Sequence, residues 1–406
     1  MARHREAVYQ WTQEVTTHLP HLSKPQATVL ALWSLGMVLA RSCSLTAVTG
    51  VLAALLERKG NTVRQQLREF CYETDAKRGA NRQAVVVAAC FAPLLRWALA
   101  GYPGPQLALA LDATSLGDRL VVLAVSVVIR GCAIPVAWTV VRGGTKHAWR
   151  PEWLRLLRLV WRAVPADWTV LVLADRGLYA RWLFRRIRRL GWHPFLRINL
   201  GGKFRPAGLA TFRPLASFVP TPGSRWRGAG TAFATQECRL DCTLVAYWAE
   251  GCKDPWLILT DLPPEACDAC WYGLRAWIEH GFKLTKRGGW QWQGTRMTDP
   301  GRVERHWLAM AVATLWLVRV GTAAEVDAPA CPFAALDGAL ATARRVQRAT
   351  RLRFVSLFRR GWVAILVAWL KGQPLPTGRF QPEPWPAVSP LDHLVEPTEP
   401  EVLLAA

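Results

Sequence analysis

Two apolar runs that each end on an aspartate constrain this chain most. QLALALDATS carries Asp112, and WTVLVLADRGLY carries Asp175. Four or more consecutive apolar residues leading into a polar terminus read as a strand buried on both faces, the kind found in sheets covered by helices. Either aspartate alone could cap a helix or open a turn. Together they place two carboxylates at strand exits, where an α/β sheet presents its functional groups.

The surrounding elements fix an order. The first strand, at about 106–114, turns at Leu116-Gly117-Asp118 into LVVLAVSVVI and, past Gly131, into AIPVAWTVV. Tight turns between consecutive strands predict an antiparallel meander. Asp118 falls in the hairpin turn and reads as structural. A helix follows at about 151–163 with Pro151 in its first turn, then the Asp175 strand, a basic helix at about 179–190 and the short strand HPFLRIN. The resulting order, β-β-β-α-β-α-β, is that of a layered α/β core. The next stretch, 201–264, holds turn formers (RPAG, VPTPGS, RWRGAG) and alternating segments (ECRLDCTLVAYWAE, PWLILTDL), which predict a β-rich insertion. Arg225, Trp226 and Arg227 are expected at a loop tip there, available to a partner.

The segment WYGLRAWIEHGFKLTKRGG then places Tyr272, Arg275, Glu279 and Lys286 at offsets that share about a 60° arc of an ideal helix. Leu274, Ile278 and Phe282 supply an opposing apolar side, and Gly288-Gly289 a stop. One carboxylate thus stands on a ridge suited to phosphate. Brought together, Asp112, Asp175 and Glu279 would repel one another unless a cation neutralised them. Hard divalent metal fits carboxylates, with Mg²⁺ leaving positions for water and phosphate oxygens. Two such ions could promote in-line phosphoryl displacement, so the predicted chemistry is phosphodiester cleavage and transfer.

These residues resemble the DDE transposases of bacterial insertion sequences that carry the YREK signature, the insertion-sequence-four-like group. The likeness rests on the order Asp112, Asp175, Glu279, on Tyr-x2-Arg-x3-Glu-x6-Lys, and on the Asp175-Arg176-Gly177 context, and covers roughly residues 105–320. The resemblance implies an RNase H-like catalytic core, with which the element order agrees, and a β-rich insertion. It also implies Asp112, Asp175 and Glu279 as catalytic residues and as ligands of two Mg²⁺ ions, with Mn²⁺ an expected substitute. Tyr272, Arg275 and Lys286 would contact transposon-end phosphates; Arg176 and Trp277 are further expected DNA contacts. Trp277, Trp290 and Trp292 lie close enough in sequence to stack an extruded base. The expected partners are double-stranded DNA, as terminal inverted repeats and as target, and a second copy of the chain in a synaptic complex. Glu304 is a rival third carboxylate. A nuclease without strand transfer and an inactive DNA-binding relative remain open alternatives.

Composition agrees with a nucleic-acid partner. Lys and Arg outnumber Asp and Glu by 51 to 29, giving a net charge of +22, and arginine predominates. Such a surface should bind DNA with strong salt dependence. Residues 1–104 read as a separate helical DNA-binding region: LTAVTGVLAALLERK, a turn at Gly60-Asn61 and TVRQQLREFCYE suggest a helix-turn-helix bearing Arg64, Gln65 and Arg68. The core is divided into 105–200 and 265–325 by the insertion, VERHWLAMAVATLWLVRV closes it, and 326–374 is expected helical. Proline and acid beyond that predict a disordered tail at 375–406. Ten cysteines without a leader suggest free thiols in a reducing cytoplasm, near the bacterial nucleoid, although Cys267 and Cys270 form one CxxC pair of the kind that binds zinc. No apolar run reaches 18 residues without a charge, so no membrane span is expected.

Overall fold

The computed structural model describes residues 2–77, 82–102, 104–129, 131–144, 149–326, 356–380 and 385–390. Five helices come first: α1 (Ala2–His18), α2 (Lys24–Ala40), α3 (Leu45–Leu56), α4 (Gly60–Phe70) and α5 (Val87–Leu99). Strands β1 (Gln106–Leu116), β2 (Leu120–Ile129) and β3 (Cys132–Arg142) form the meander, followed by α6 (Arg150–Trp161), β4 (Thr169–Ala174), α7 (Arg181–Arg189) and β5 (His193–Arg197). Next come β6 (Lys203–Pro206), β7 (Arg213–Pro214), β8 (Arg225–Ala232), β9 (Leu240–Tyr247) and β10 (Trp256–Thr260), then α8 (Ala276–Lys283), α9 (Pro300–Val326) and α10 (Leu357–Leu370).

All ten strands share one sheet, in the order β3-β2-β1-β4-β5-β10-β9-β8-β6-β7. β1, β4 and β5 run parallel, while β2 and β3 are antiparallel to their neighbours. The strands of the insertion do not form a sheet of their own: β10 pairs antiparallel with β5, so the edge of the core sheet continues into them. An uncovered β5 edge would leave a row of unpaired backbone groups, and β10 removes it.

Strand parity sorts the core into two layers. Leu107, Leu109 and Leu111 of β1 and Val170, Val172 and Ala174 of β4 join the cluster that holds α6, α7, α9 and the N-terminal helices. Ala108, Ala110, Leu171 and Leu173 join a second cluster, with Trp271, Tyr272, Leu274, Trp277 and Ile278. The first cluster runs unbroken from the N-terminal helices to the sheet, so residues 1–104 do not stand apart as the sequence suggests. α2 is the physical reason: Ala27 and Val29 through Val38 are buried, which requires neighbours on every side of the helix. Its start is fixed by a capping box between Ser23 and Gln26.

α9 is long and apolar enough to cross a membrane, yet 89% of its apolar window is buried inside the fold. It lies against β3, α2, α5 and α10. Its Arg305 ties down the loop before α5, donating to the carbonyls of Val85 and Cys71 and to Glu73. Next to it, His306 is fully enclosed against Trp33, with one ring nitrogen 3.1 Å from the Cys43 carbonyl. Burial pushes its pKa down to about 4. The unfolded chain therefore binds the proton at higher pH than the folded one, and stability is lost as pH falls from about 6.5 towards 4. That loss should amount to about 3 kcal/mol, and His306→Gln should flatten the urea-measured stability over this window by a similar amount. An unchanged slope would remove the histidine from the acid response.

The C-terminal segment departs from its expected disorder. Leu375 and Phe380 are buried, and carbonyls of the proline-rich stretch accept from indole donors: Trp316 to Pro376 at 2.8 Å and Trp271 to Pro386 at 2.7 Å. Composition predicts only that such a segment builds no core of its own; here it docks on side chains that need acceptors. Residues 327–355 and 391–406 lie outside the described residues, so much of the expected helical region 326–374 is represented by α10 alone.

Candidate active site

β1 and β4 pair in parallel with Leu111 opposite Ala174, so Asp112 and Asp175 occupy the next position on neighbouring strands. Parity sends both carboxylates to the layer that contains Trp271–Ile278, because each follows a residue pointing the other way. A sequence separation of more than sixty residues is thus closed by register.

The Tyr272–Lys286 segment is helical but not one helix. Ala269–Arg275 is a 3-10 stretch opened by Asp268, α8 follows, and Leu284–Gly288 is a π-helical turn. In a 3-10 stretch residues three apart eclipse, so Tyr272 and Arg275 stack along one line, and the four-residue step to Glu279 continues as α-helix. Gly281, which weakens helix propensity, has a packing reason: a Cβ there would lie 2.6 Å from the Ala133 carbonyl oxygen. The glycine lets α8 press against β3 and sets the height of Glu279 above the sheet.

At the centre stands Arg275, which meets all three carboxylates. Its Nη2 lies 2.9 Å from Asp112 and 3.5 Å from Asp175, and its Nη1 lies 2.8 Å from Glu279. Side-chain exposure grades from 11% for Arg275 through 17% for Asp112 and 37% for Asp175 to 65% for Glu279, so the cluster opens to solvent on the Glu279 side. Asp112 also accepts from the Ala113 amide at 2.8 Å. Burial pushes its carboxyl up to about 6, with Arg275 as the main opposing influence. Asp175 divides its oxygens: Oδ1 accepts from the amides of Gly177 and Leu178, while Oδ2 faces Arg275. One side chain therefore both closes the turn and joins the acidic cluster.

Arg275 is accordingly a counter-ion to the acidic residues here, where the sequence led us to expect a phosphate contact. The oxygen donors are of the type that hard divalent cations take. Among the described residues, however, no three His, Cys, Asp or Glu side chains enclose a metal position, because the guanidinium fills the middle of the cluster.

Other expectations are corrected. Trp277, Trp290 and Trp292 are buried, Trp277 in the layer under α8 and the other two against the opposite cluster. None can stack an extruded base without unfolding its surroundings; apolar spacing here marks core. Tyr272 is buried as well, its hydroxyl without a hydrogen-bond partner among the described residues, and burial raises its pKa to about 12. Lys286 is half-buried on the π-helical turn, and Arg176 is exposed, 3.6 Å from Asp254. Arg225, Trp226 and Arg227 begin β8 and are not a loop tip: Arg227 is buried against Asp268 and the Cys267 and Ser389 carbonyls, Trp226 packs on Phe218, and Arg225 lies over the Tyr247 ring. Glu304, the rival carboxylate, accepts from Thr139 and the Val140 amide, and so braces α9 on β3. In the N-terminal region, α3 and α4 are joined by a turn at Glu57–Lys59, Gly60 and Asn61 already being helical. Arg64 donates to Thr46, Gln65 to Glu69, and Arg68 covers Tyr72.

Sequence reasoning missed the role of Asp268 and Arg227, a buried pair that holds the start of the 3-10 stretch to β8 and to Ser389. No local pattern signals a pair so far apart.

Residues 142–316 match the family model of the transposase DDE domain. The match supports a DDE transposase family, whose members cleave nucleic acid and act on DNA. It contains Asp175, Tyr272, Arg275, Glu279 and Lys286 and leaves Asp112 outside, to be brought in by the pairing of β1 with β4. No curated protein matches the chain.

Proposed function

We propose that this protein is a metal-dependent DNA transposase that cleaves at the inverted-repeat ends of a transposon and joins the freed 3′-hydroxyl to target DNA. The observation that carries the reading is the convergence of Asp112, Asp175 and Glu279 on one positive charge just past the last parallel pair of β1 and β4, with Asp112 still inside β1, which runs on against β2, and Asp175 directly after the end of β4. The strand order β3-β2-β1-β4-β5, with α6 and α7 as crossovers, supports an RNase H-like core, and the YREK spacing supports the insertion-sequence-four-like subgroup.

Asp112, Asp175 and Glu279 would hold the divalent ions, Mg²⁺ in the first instance with Mn²⁺ as substitute. Bound there, such ions supply charge for in-line phosphoryl displacement. The chain's own residues do the rest. Asp112 and Asp175 are fixed by strand register and by their backbone donors, so they need little reordering. Glu279 is exposed and enters from the solvent side, where a duplex end would arrive. With a divalent ion held by the carboxylates, Arg275 would be available to pair with a phosphate, and Lys286 with Arg287 extends positive charge along the same segment. Tyr272, one 3-10 turn before Arg275, is buried with its ring against Trp256. The helix pair α3 and α4 is our choice for end recognition, and two ends require at least a homodimer.

The test is cleavage of a labelled duplex carrying the element's own end, with Mg²⁺, by native protein and by Glu279→Gln. Glutamine keeps size and hydrogen bonding but removes the charge, and the loss expected is at least a hundredfold in rate, about 3 kcal/mol in the barrier. Equal cleavage by both proteins would show that Glu279 is the wrong carboxylate. Joined products in a plasmid assay separate a transposase from a nuclease that only cuts.

A further inference from the structure

A basic groove lies in the layer opposite α8. α6 and α7 both bury their apolar sides in the cluster on the far side of the sheet, through Leu156, Leu157 and Val160 and through Leu183, Phe184 and Ile187. Between their outer sides runs an open groove of about 480 Å³ lined by Arg150, Arg155 and Arg158 of α6 and Trp182, Arg186 and Arg189 of α7. On α7, Trp182, Arg186 and Arg189 share one stripe; on α6, Arg155 and Arg158 are neighbours one turn apart, and Arg150, at the helix start, meets Trp182 as a cation-π pair at 5.6 Å.

Five arginines line one groove, and none of them has an ion-pair partner among the described residues. Like charges at helical spacing destabilise a helix by roughly 0.2–0.5 kcal/mol per pair, so an arrangement without counter-charge is maintained against a cost. Arg186 adds a buried Nε that lacks a hydrogen-bond partner among the described residues. Arg150 to Arg158 covers about 12 Å of helix axis, comparable to the axial span of three or four phosphates of one DNA strand. Guanidinium groups pair with phosphate in a forked geometry, and Trp182 leaves one wall apolar.

We propose that this groove binds the backbone of a second stretch of duplex DNA, outside the stretch held at the carboxylates. The choice of DNA over another polyanion rests on the function proposed above. A sheet lies between the two positions, so one straight duplex does not occupy both; the groove suits DNA that continues past the cleavage point, or a target.

The experiment is the salt dependence of binding to a fluorescein-labelled duplex of arbitrary sequence, measured by anisotropy in rising KCl without divalent metal. Native protein is compared with the full-length triple variant Arg155→Gln, Arg158→Gln, Arg189→Gln, all exposed positions. Each lost phosphate contact should lower the slope of log K against log salt by about 0.9, so a fall of two to three is expected. The corresponding Lys variant should keep the native slope, since charge is retained. A slope unchanged in the Gln variant, or lost equally in the Lys variant, overturns the proposal; so does binding of these arginines to anionic phospholipid vesicles in preference to duplex. Cleavage of a short end duplex, too short to reach the groove, should be unaffected. If native protein cleaves nothing while the slope still falls, the groove stands and the transposase reading does not.

Discussion

Replacing Arg275 with alanine should lower the stability of the metal-free protein by about 3 kcal/mol, the usual scale for removing one partner of a buried ion pair. The effect is large because one guanidinium pairs with Asp112, Asp175 and Glu279 together and offsets part of their mutual repulsion. Burial already lifts the Asp112 carboxyl to about 6 with the arginine present, and removing its main opposing influence lifts it further. Urea unfolding in EDTA reads the loss. Addition of Mg²⁺ should restore part of it in Arg275→Ala and change native protein less, because in native protein the cation has to displace a charge that is already there. The same variant should bind the end duplex less tightly with metal present if the freed arginine goes to phosphate. A variant with native stability in EDTA and no differential response to Mg²⁺ would remove Arg275 as the counter-ion.

The second large effect concerns the crossing of α9 and α10, far from the carboxylates. Gly321 and Gly361 face each other across it: a Cβ on Gly321 would fall on the Leu357 carbonyl oxygen, and one on Gly361 on that of Leu317. Both obstacles are backbone, so no rotamer change can make room. Gly361→Ala should force the helices apart, loosening Leu357, Phe358 and Ile365 from their buried places, and cost about 3 kcal/mol or more. The measured sign is a lower urea midpoint with the slope unchanged. Gly50, where a Cβ meets nothing within 4 Å, is the control: Gly50→Ala in mid-helix should be neutral or mildly stabilising. Equal midpoints for the two variants would contradict the close crossing.

Much of the core was legible in sequence because the relevant physics is local. Runs of apolar residues between polar ends marked the strands of the meander and both aspartates, and Pro151 marks a helix start that the structure reproduces. The tail and the base-stacking role expected of Trp277, Trp290 and Trp292 were misjudged for one shared reason. Composition registers what a segment is made of, while burial depends on what arrives from elsewhere in the chain: Pro376 and Pro386 order because indoles of α9 and the 3-10 stretch need acceptors. The helical-face argument for Tyr272, Arg275, Glu279 and Lys286 assumed one helical pitch, and the segment uses three.

By itself the sequence determined the strand and helix order, the residue types of the acidic cluster and the basic character of the surface. These follow from periodicity, propensity and charge, which act within a few residues. Only the tertiary structure decided that Leu111 pairs with Ala174, and hence that Asp112 and Asp175 meet; that the insertion extends the core sheet through β10; and that Arg275 turns towards the carboxylates. Each of these depends on distances between residues remote in the chain. An arginine three residues after a tyrosine carries the same charge wherever it points, and packing sets the direction.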